Sequence, residues 1–420
     1  MKLNKKKVFA LALVICLLAT LSLGSLAWFT DQDSAKNDFY FTDSETSNPD
    51  DIFSVDVWED NTKEDVEGEE KLDKIEFTSI LPGDSLYKEV HIENTGHHDQ
   101  YIRATVTITG ARVWQEFYGA YVVPLNMMVA NLTDFPIHTQ ISYYDAVRDT
   151  FVYELYLDKA IAAGEEIILF EEVPISTALT QKEAVALNGK FTIDVVAHAV
   201  QTRNVGDNVF EAFKITGAVK TVAVSEPEEL VDALQNANVT RVVIANDMAA
   251  SINYKVENKV LDFNGTNSSV KFWGDAEGAN LVVCGIRDTD GATTSVQVND
   301  KFTGEVVVYD CVMQSQTNAI KLGAGKITID SCRIIGVDGA ETPYGIVGNT
   351  NNNFKGDLVL NNTVLKNLNR GIYINQITGN LTMQGCALEK VTTPVHNTGG
   401  TTGTKTFTDN FRNGSPWPAA

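Results

Sequence analysis

Two groups of acids in the last third of the chain are the first candidates for chemistry. Asp288 with Asp290, and Asp330 with Asp338 and Arg370, are the residue types that polysaccharide hydrolases and lyases use. Such enzymes pair a carboxylic acid that protonates the leaving oxygen with a second carboxylate, or with a cationic partner, on one long concave face. The sequence sets Asp288 and Asp290 around a turn, runs Asp330 from a strand into a bend, and places Arg370 against a glycine. That placement argues against catalysis, and no catalytic residue is assigned.

The histidines and cysteines offer little more. The zinc pattern His-Glu-x-x-His is absent, His97 and His98 follow the turn former Asn94-Thr95-Gly96, and His91, His138, His198 and His396 are scattered. The acidic triplets "DQD" and "PDD" lack the spacing and glycine of a calcium-binding helix-loop-helix. There is no glycine loop for phosphates and no nucleophile elbow, so the expectation is no metal and no cofactor. Of 5 cysteines, Cys16 lies in the leading apolar run, whereas Cys284, Cys311, Cys332 and Cys386 all fall in the last third. They behave as buried, reduced, small apolar side chains, with disulfides between neighbouring coils as the alternative.

The elements that must carry these residues begin with a leader. Lys2, Lys5, Lys6 and Lys7 precede an apolar run from Val8 to Leu23, and Ser25-Leu26-Ala27 puts small residues where a signal peptidase reads, predicting cleavage between Ala27 and Trp28. An uncleaved anchor with the bulk of the chain outside is the alternative. Either way the product is exported, to the cell surface or beyond. The formal net charge of −22 repels phosphate backbones, and no basic stripe with interleaved aromatics reverses that argument, so nucleic acid is excluded as a partner.

After the leader the pattern is β. In "SLYKEVHIEN", Leu86, Val90 and Ile92 keep a period of two, Pro82-Gly83-Asp84 and Asn94-Thr95-Gly96 bound the run, and "YIRATVTIT" resumes the alternation through Ile102, Ala104, Val106 and Ile108. The expectation is an antiparallel hairpin. "TFVYELYL" and "EEIILFEEV" have the same short-strand character, while 110–145 departs from it and is expected to hold an inserted helix or lid.

Three segments in order carry a resemblance: "SLGSLAWFTDQDSAKNDFYF", "ILPGDSLYKEVHIENTGHHDQYIRATVTIT" and "FTIDVVAHAVQ". Together they make residues 1–217 look like the TasA/camelysin-like proteins. The resemblance implies export through a SipW-type signal peptidase, a fibre-forming role in the biofilm matrix of Gram-positive bacteria, and a mature amino-terminal strand donated to a neighbouring subunit. Here the implied donor is Trp28 to Phe41, with Trp28, Phe29, Phe39 and Phe41 as its apolar plugs. Strand addition needs an extended segment, a sheet edge and pockets for alternate side chains. From Trp28 to Lys74 the chain also counts 16 Asp/Glu against 4 Lys, whose plain reading is a solvated acidic segment.

Near residue 218 the pattern changes again. "SEPEELVDALQNA" reads as a short helix with Ser225 as N-cap and Pro227 in the first turn. Then "GEVVVYDCVMQ", "GKITIDSCRII", "GDLVLNNTVLK" and "GNLTMQGCALE" superpose without a gap, their leading glycines 21, 31 and 23 residues apart. That is the length of one coil of a right-handed parallel β-helix of five or six coils. The seventh residue after each glycine gives a column Cys311, Cys332, Thr363 and Cys386, with Cys284 in an earlier coil whose register differs by one. Asp310, Ser331, Asn362 and Gly385 just before it suit a left-handed bend.

The fold expected is therefore all-β: an antiparallel jelly-roll or β-sandwich over 28–217, its first stretch to 75 acidic, and a short right-handed β-helix with an N-terminal capping helix over 218–400. Residues 401–420 form a tail or cap. The function expected is a secreted structural protein of the matrix or cell surface that associates with itself or other matrix subunits and displays the β-helix for binding. A carbohydrate-binding surface protein using Tyr344 and Tyr373, or a polysaccharide lyase or hydrolase, are the alternatives.

Overall fold

The computed structural model describes residues 30–33, 54–60, 77, 81, 83–109, 136–145, 148, 150–175, 177, 192–202 and 205–418. The leader, Trp28, Phe29, Phe39, Phe41 and the 110–135 part of the expected insertion lie outside them; 137–145, the rest of that stretch, is a strand. The chain divides into two compact units, Met1–Val219 and Lys220–Ala420.

Among the described residues the first unit holds eight strands and one helix: β1 (Thr30–Asp33), β2 (Val55–Asp60), β3 (Ser85–Asn94), β4 (Gln100–Thr109), β5 (Ile137–Asp145), β6 (Thr150–Leu157), β7 (Glu166–Pro174), β8 (Thr192–Gln201) and α1 (Val209–Ile215). They form two antiparallel sheets, one of five strands ordered β1-β8-β4-β6-β5 and one of three ordered β2-β3-β7. Apolar residues of both sheets share one cluster, with Val90, Ile92, Ile102, Ala104, Val106, Leu155 and Ile161 sealed from solvent. Each of the valine, leucine and isoleucine side chains contributes ~1.5–3 kcal/mol on leaving water.

The expected hairpin is corrected here. β3 pairs with β2 and β7, and β4 pairs with β6 and β8, so the two alternating runs lie in different sheets. Their alternation is real, but it serves one core from two sides, which a period of two cannot tell from a hairpin. The crossing is fixed by two fully buried amides. Asn94 Nδ2 donates to the carbonyls of His98 (2.8 Å) and Ile161 (2.9 Å), and Gln100 Nε2 donates to Asn94 Oδ1 (2.7 Å) and the Ser54 carbonyl (3.2 Å). Asn94 is paired through both its nitrogen and its oxygen and Gln100 through its nitrogen, which makes the corner specific, while Gln100 Oε1 is buried without a partner.

The second unit is a β-solenoid of about eight turns, more than the five or six expected from the repeats. One turn reads Glu305–Tyr309, a bend, Val312–Ser315, a second bend, Asn318–Leu322, and then Lys326–Asp330 above the first strand. Stacking turns builds a nine-stranded first sheet, a six-stranded second sheet and a seven-stranded third sheet. Pairing is parallel from turn to turn, and the inward residues Val306, Val308, Ile327, Ile329, Leu358 and Leu360 are fully buried. Repeats longer than the rest place their extra residues in bends, which is why the leading glycines are unevenly spaced.

Those glycines stack for a steric reason. A Cβ on Gly304 would lie 1.4 Å from the Gly278 carbonyl oxygen, on Gly356 1.9 Å from that of Gly325, and on Gly379 2.2 Å from that of Gly356. Only hydrogen fits where one turn closes over the last. The helix α2 runs Pro227–Gln235 with Glu226, not Ser225, as N-cap; the Glu229 carboxylate takes the backbone N–H of both Ser225 and Glu226. Its Leu230, Ala233 and Leu234 belong to the solenoid cluster. Residues 401–418 continue the fold: Lys405–Thr408 joins the first sheet, Asn410–Arg412 the second, and Ser415–Trp417 folds back antiparallel on the latter.

Candidate functional site

The acids named first serve the backbone. Asp288 is buried, its Oδ1 accepting the N–H of Asp290 (3.2 Å) and Gly291 (2.8 Å) and its Oδ2 the Ser295 hydroxyl (2.8 Å). Asp290 Oδ1 accepts the N–H of Ala292 at 2.8 Å. Asp330 Oδ1 accepts from the Ser331 hydroxyl (2.9 Å) and Asn362 (3.4 Å), and Asp338 is exposed in a bend. These are turn-fastening roles for short acidic side chains. Among the described residues no group of three or more His, Cys, Asp or Glu is placed to hold a metal ion.

The thiols form most of one column. Pairing of the second-sheet strands sets Cys311 beside Cys332, Cys332 beside Thr363 and Thr363 beside Cys386, and the column continues to Ile286 on one side and Asn410 on the other. Cys284 is the exception, and the expected offset of one is corrected: it pairs with Tyr309, two residues before Cys311. Cys284, Cys311, Cys332 and Cys386 are buried and free. Burial pushes the thiols of Cys284, Cys311 and Cys386 up from their ordinary value, which keeps them protonated and unreactive. Sγ of Cys332 reaches the Asp330 carbonyl (3.2 Å), just as Thr363 Oγ1 donates to the Asn361 carbonyl (2.8 Å). Asp310, Ser331, Asn362 and Gly385 before the column all have φ between 44° and 64°.

The side chains that assemble outward lie on the third sheet. Strands Tyr344–Gly348, Arg370–Tyr373 and Thr393–His396 pair so that Tyr344, Arg370 and Thr393 form one row and Val347, Tyr373 and His396 the next. Ring centroids of Tyr344 and Tyr373 are 5.0 Å apart, and so are those of Tyr373 and His396. The Arg370 guanidinium lies 4.0 Å from the Tyr373 ring centre and 5.5 Å from that of Tyr344. Stacked rings with an arginine held over them form a half-exposed surface that can receive a flat polar ring and hydrogen-bond its substituents. Tyr344 and Tyr373 were named from sequence. His396 was legible as well, since "GIYI" and "PVHN" align it with Tyr373, but the aromatic stack and the turn of Arg370 onto it were not.

In the first unit, Thr30–Asp33 of the expected donor segment pairs antiparallel with Ala197–Val200 of the same chain, as the outermost strand of its sheet. On the neighbouring strand Arg103 lies opposite His198 and Tyr156. Its guanidinium sits 5.2 Å from the Phe213 ring centre and 5.9 Å from that of Tyr156, and Nη1 donates to the Ala218 carbonyl (2.9 Å). Burial, and then the Arg103 charge, lower His198 to about 3. The other histidines are dispersed: His91 stacks on Trp58 with centroids 3.7 Å apart, His138 meets Asp158 at 3.1 Å, and His97 and His98 are exposed in the β3–β4 corner.

These features define an all-β chain with antiparallel sheets followed by a β-solenoid. Set beside family models, curated proteins and solved structures, the chain matches none of them. The likeness of its first half to TasA/camelysin-like proteins therefore rests on the three sequence segments alone.

Proposed function

We propose that this chain is an exported structural protein of the cell surface or extracellular matrix. In this reading the leader is removed at Ala27–Trp28 by a SipW-type peptidase, and the first unit, a jelly-roll-like β-sandwich of the TasA/camelysin kind, polymerises by donating its leading strand. The solenoid, a right-handed helix capped by α2, is carried along as a display surface. The observation that carries the reading is the pairing of Thr30–Asp33 with Ala197–Val200. An edge strand held by one neighbour can be exchanged for the same strand of a second copy with no new interaction to invent. The apolar plugs Trp28, Phe29, Phe39 and Phe41 would follow that strand into the neighbour.

The test compares mature chain starting at Trp28 with chain starting at Ser44, by electron microscopy and light scattering. Filaments are expected from the first and not the second, and a free 28–43 peptide is expected to shorten them. Filaments from the truncated chain, or monomers from both, would overturn the proposal. Terminal sequencing of the exported product should begin at Trp28.

A second reading has its own observation. The Tyr344–Tyr373–His396 stack with Arg370 favours carbohydrate binding on the third sheet. Binding is favoured over cleavage because Asp288, Asp290 and Asp330 are engaged in turns. The two readings are compatible, since a matrix subunit has to hold polysaccharide as well as its neighbours.

A further inference from the structure

Charge is distributed unevenly over the solenoid. On the first and second sheets three cations are answered by carboxylates of an adjacent turn, Arg241 by Asp262 (2.6 Å), Lys326 by Glu305 (2.6 Å) and Lys366 by Glu389 (3.2 Å), while Arg412 donates to the carbonyls of Val391 and Thr392 and Arg333 and Lys405 have no carboxylate within salt-bridge distance among the described residues. The third sheet is built differently. Its strands, from Ala249–Ile252 to Thr393–His396, contain no Asp or Glu, although the chain carries a formal net charge of −22. They do contain Lys271, Lys321 and Arg370, none of which has a carboxylate within salt-bridge distance among the described residues.

The register puts these groups in two adjoining rows. Lys271, Gln297, Lys321, Val347, Tyr373 and His396 follow one another turn by turn, and Asn318, Tyr344, Arg370 and Thr393 run beside them. Neighbours in a row are about 4.8 Å apart, close to the advance of one sugar along an extended β-linked polysaccharide. Val347 is the low step between the lysine end and the aromatic end, and it is buried. Acids occur only on the loops that flank these strands, among them Asp247 before Ala249, Asp275 after Phe272, Asp300 after Val298, and Asp338 and Glu341 before Tyr344.

We infer that this face binds an acidic polysaccharide, its chain running along the solenoid axis. Its sugar rings lie on Tyr344 and Tyr373, and its carboxylates meet Arg370, Lys321 and Lys271. Arg370 is held over the rings with its planar fork uncommitted to any carboxylate, the state in which a guanidinium takes a carboxylate through two parallel hydrogen bonds. A neutral glycan would use the rings and leave the cations idle. This inference rests on the carbohydrate-binding reading and adds the charge of the ligand to it.

The test titrates full-length mature protein with polymannuronate and with the same polymer after carboxyl reduction, which leaves the backbone and removes the charge. The acidic form is expected to bind at least about tenfold more tightly, and to weaken as salt is raised. Replacing Lys271 and Lys321 together by Gln should lower affinity for the acidic polymer and leave the neutral one unchanged. Tyr373→Ala should lower both. All three positions are on the outer surface, so thermal melts check that the solenoid is intact. Equal binding of the two polymers would overturn the inference while sparing the carbohydrate-binding reading. Binding of neither would overturn both. A single-stranded oligonucleotide bound as tightly as polymannuronate would show a surface for any polyanion, and would overturn the inference too.

Discussion

The two units satisfy their strands in different ways. In the first and third sheets of the solenoid each interior strand has a parallel partner one turn before and one turn after, so the unpaired edges of those sheets lie at the first and last turns. Among the described residues of the first unit, β1, β5, β2 and β7 each end a sheet and pair on one side only. Those two faces of the solenoid are closed to strand addition along their length and offer side chains, while the first unit offers backbone. Assembly by exchange and recognition by a surface are thereby assigned to different halves for a structural reason.

The largest effect that tests this contrast comes from glycine. In Gly356→Ala the new methyl meets the Gly325 carbonyl at 1.9 Å with φ at +146°, and the turn above rests on it. The expected cost exceeds about 4 kcal/mol, visible in urea unfolding of the solenoid. Gly164→Ala in the first unit, where φ is +74° and nothing lies within 4 Å, should cost only about 1 kcal/mol. Similar losses from both would mean that the turns of the solenoid do not close as tightly as described.

A smaller effect probes how the first unit is tied together. Arg103→Ala removes the cation over Phe213 and Tyr156 and the bond to the Ala218 carbonyl, which together hold the segment after α1 onto β4. The expected loss is about 2 kcal/mol in the unfolding of the first unit, with the solenoid transition unmoved. A shift of both transitions would show the halves to be one cooperative body.

What was legible in the sequence follows the same division. The solenoid announced itself because identical positions in successive turns face identical surroundings: the glycine, the inward pair Val306 and Val308, the left-handed residue Asp310 and the small Cys311 recur as a phrase. The number of turns was less legible, because the early turns at Val242 and Leu261 keep the burial pattern without the phrase. In the first unit β3 and β4 were found as strands, but their partners were not. Alternation records which face is dry and says nothing about which strand lies alongside, and Asn94 and Gln100 look like ordinary turn residues until their amides are seen buried. Cys284 was displaced for a related reason: with few landmarks in its turn, the apolar run "LVVC" aligns equally well in more than one register. The acids Asp288 and Asp330 were correctly placed at bends, and what the sequence could not show is that the bends consume their oxygens.

Acid should separate the halves as well. His198 is held at about 3 against an ordinary 6.5, by burial first and by Arg103 second. Its folded pKa lies below the unfolded one, so between those values the unfolded chain binds a proton that the folded chain refuses. Stability of the first unit therefore falls as pH drops from about 6.5 towards about 3, by up to ~1.4 kcal/mol per pH unit, and is level above that window. His198→Gln should flatten this slope in urea titrations across the window. An unchanged slope would assign the acid sensitivity to other groups.

The mildest prediction concerns the column of small side chains. Thr363 already stands between Cys332 and Cys386, with its hydroxyl donating to the carbonyl two residues before it. Cys332 points its thiol at the corresponding carbonyl of Asp330. Cys332→Thr should therefore place a hydroxyl on a waiting acceptor, and the added methyl faces a position that Thr363 shows the solenoid can fill. The expected change is under about 1 kcal/mol, whereas a buried hydroxyl without a partner costs ~1–3 kcal/mol. Urea unfolding distinguishes the two values. In the same preparation, a thiol reagent should label the native wild-type protein only at the rate of unfolding, because the column is buried and burial raises the thiols of Cys311 and Cys386. Rapid labelling in the folded state, or a large loss in Cys332→Thr, would mean that the column is chosen for its sulfur and not for its size.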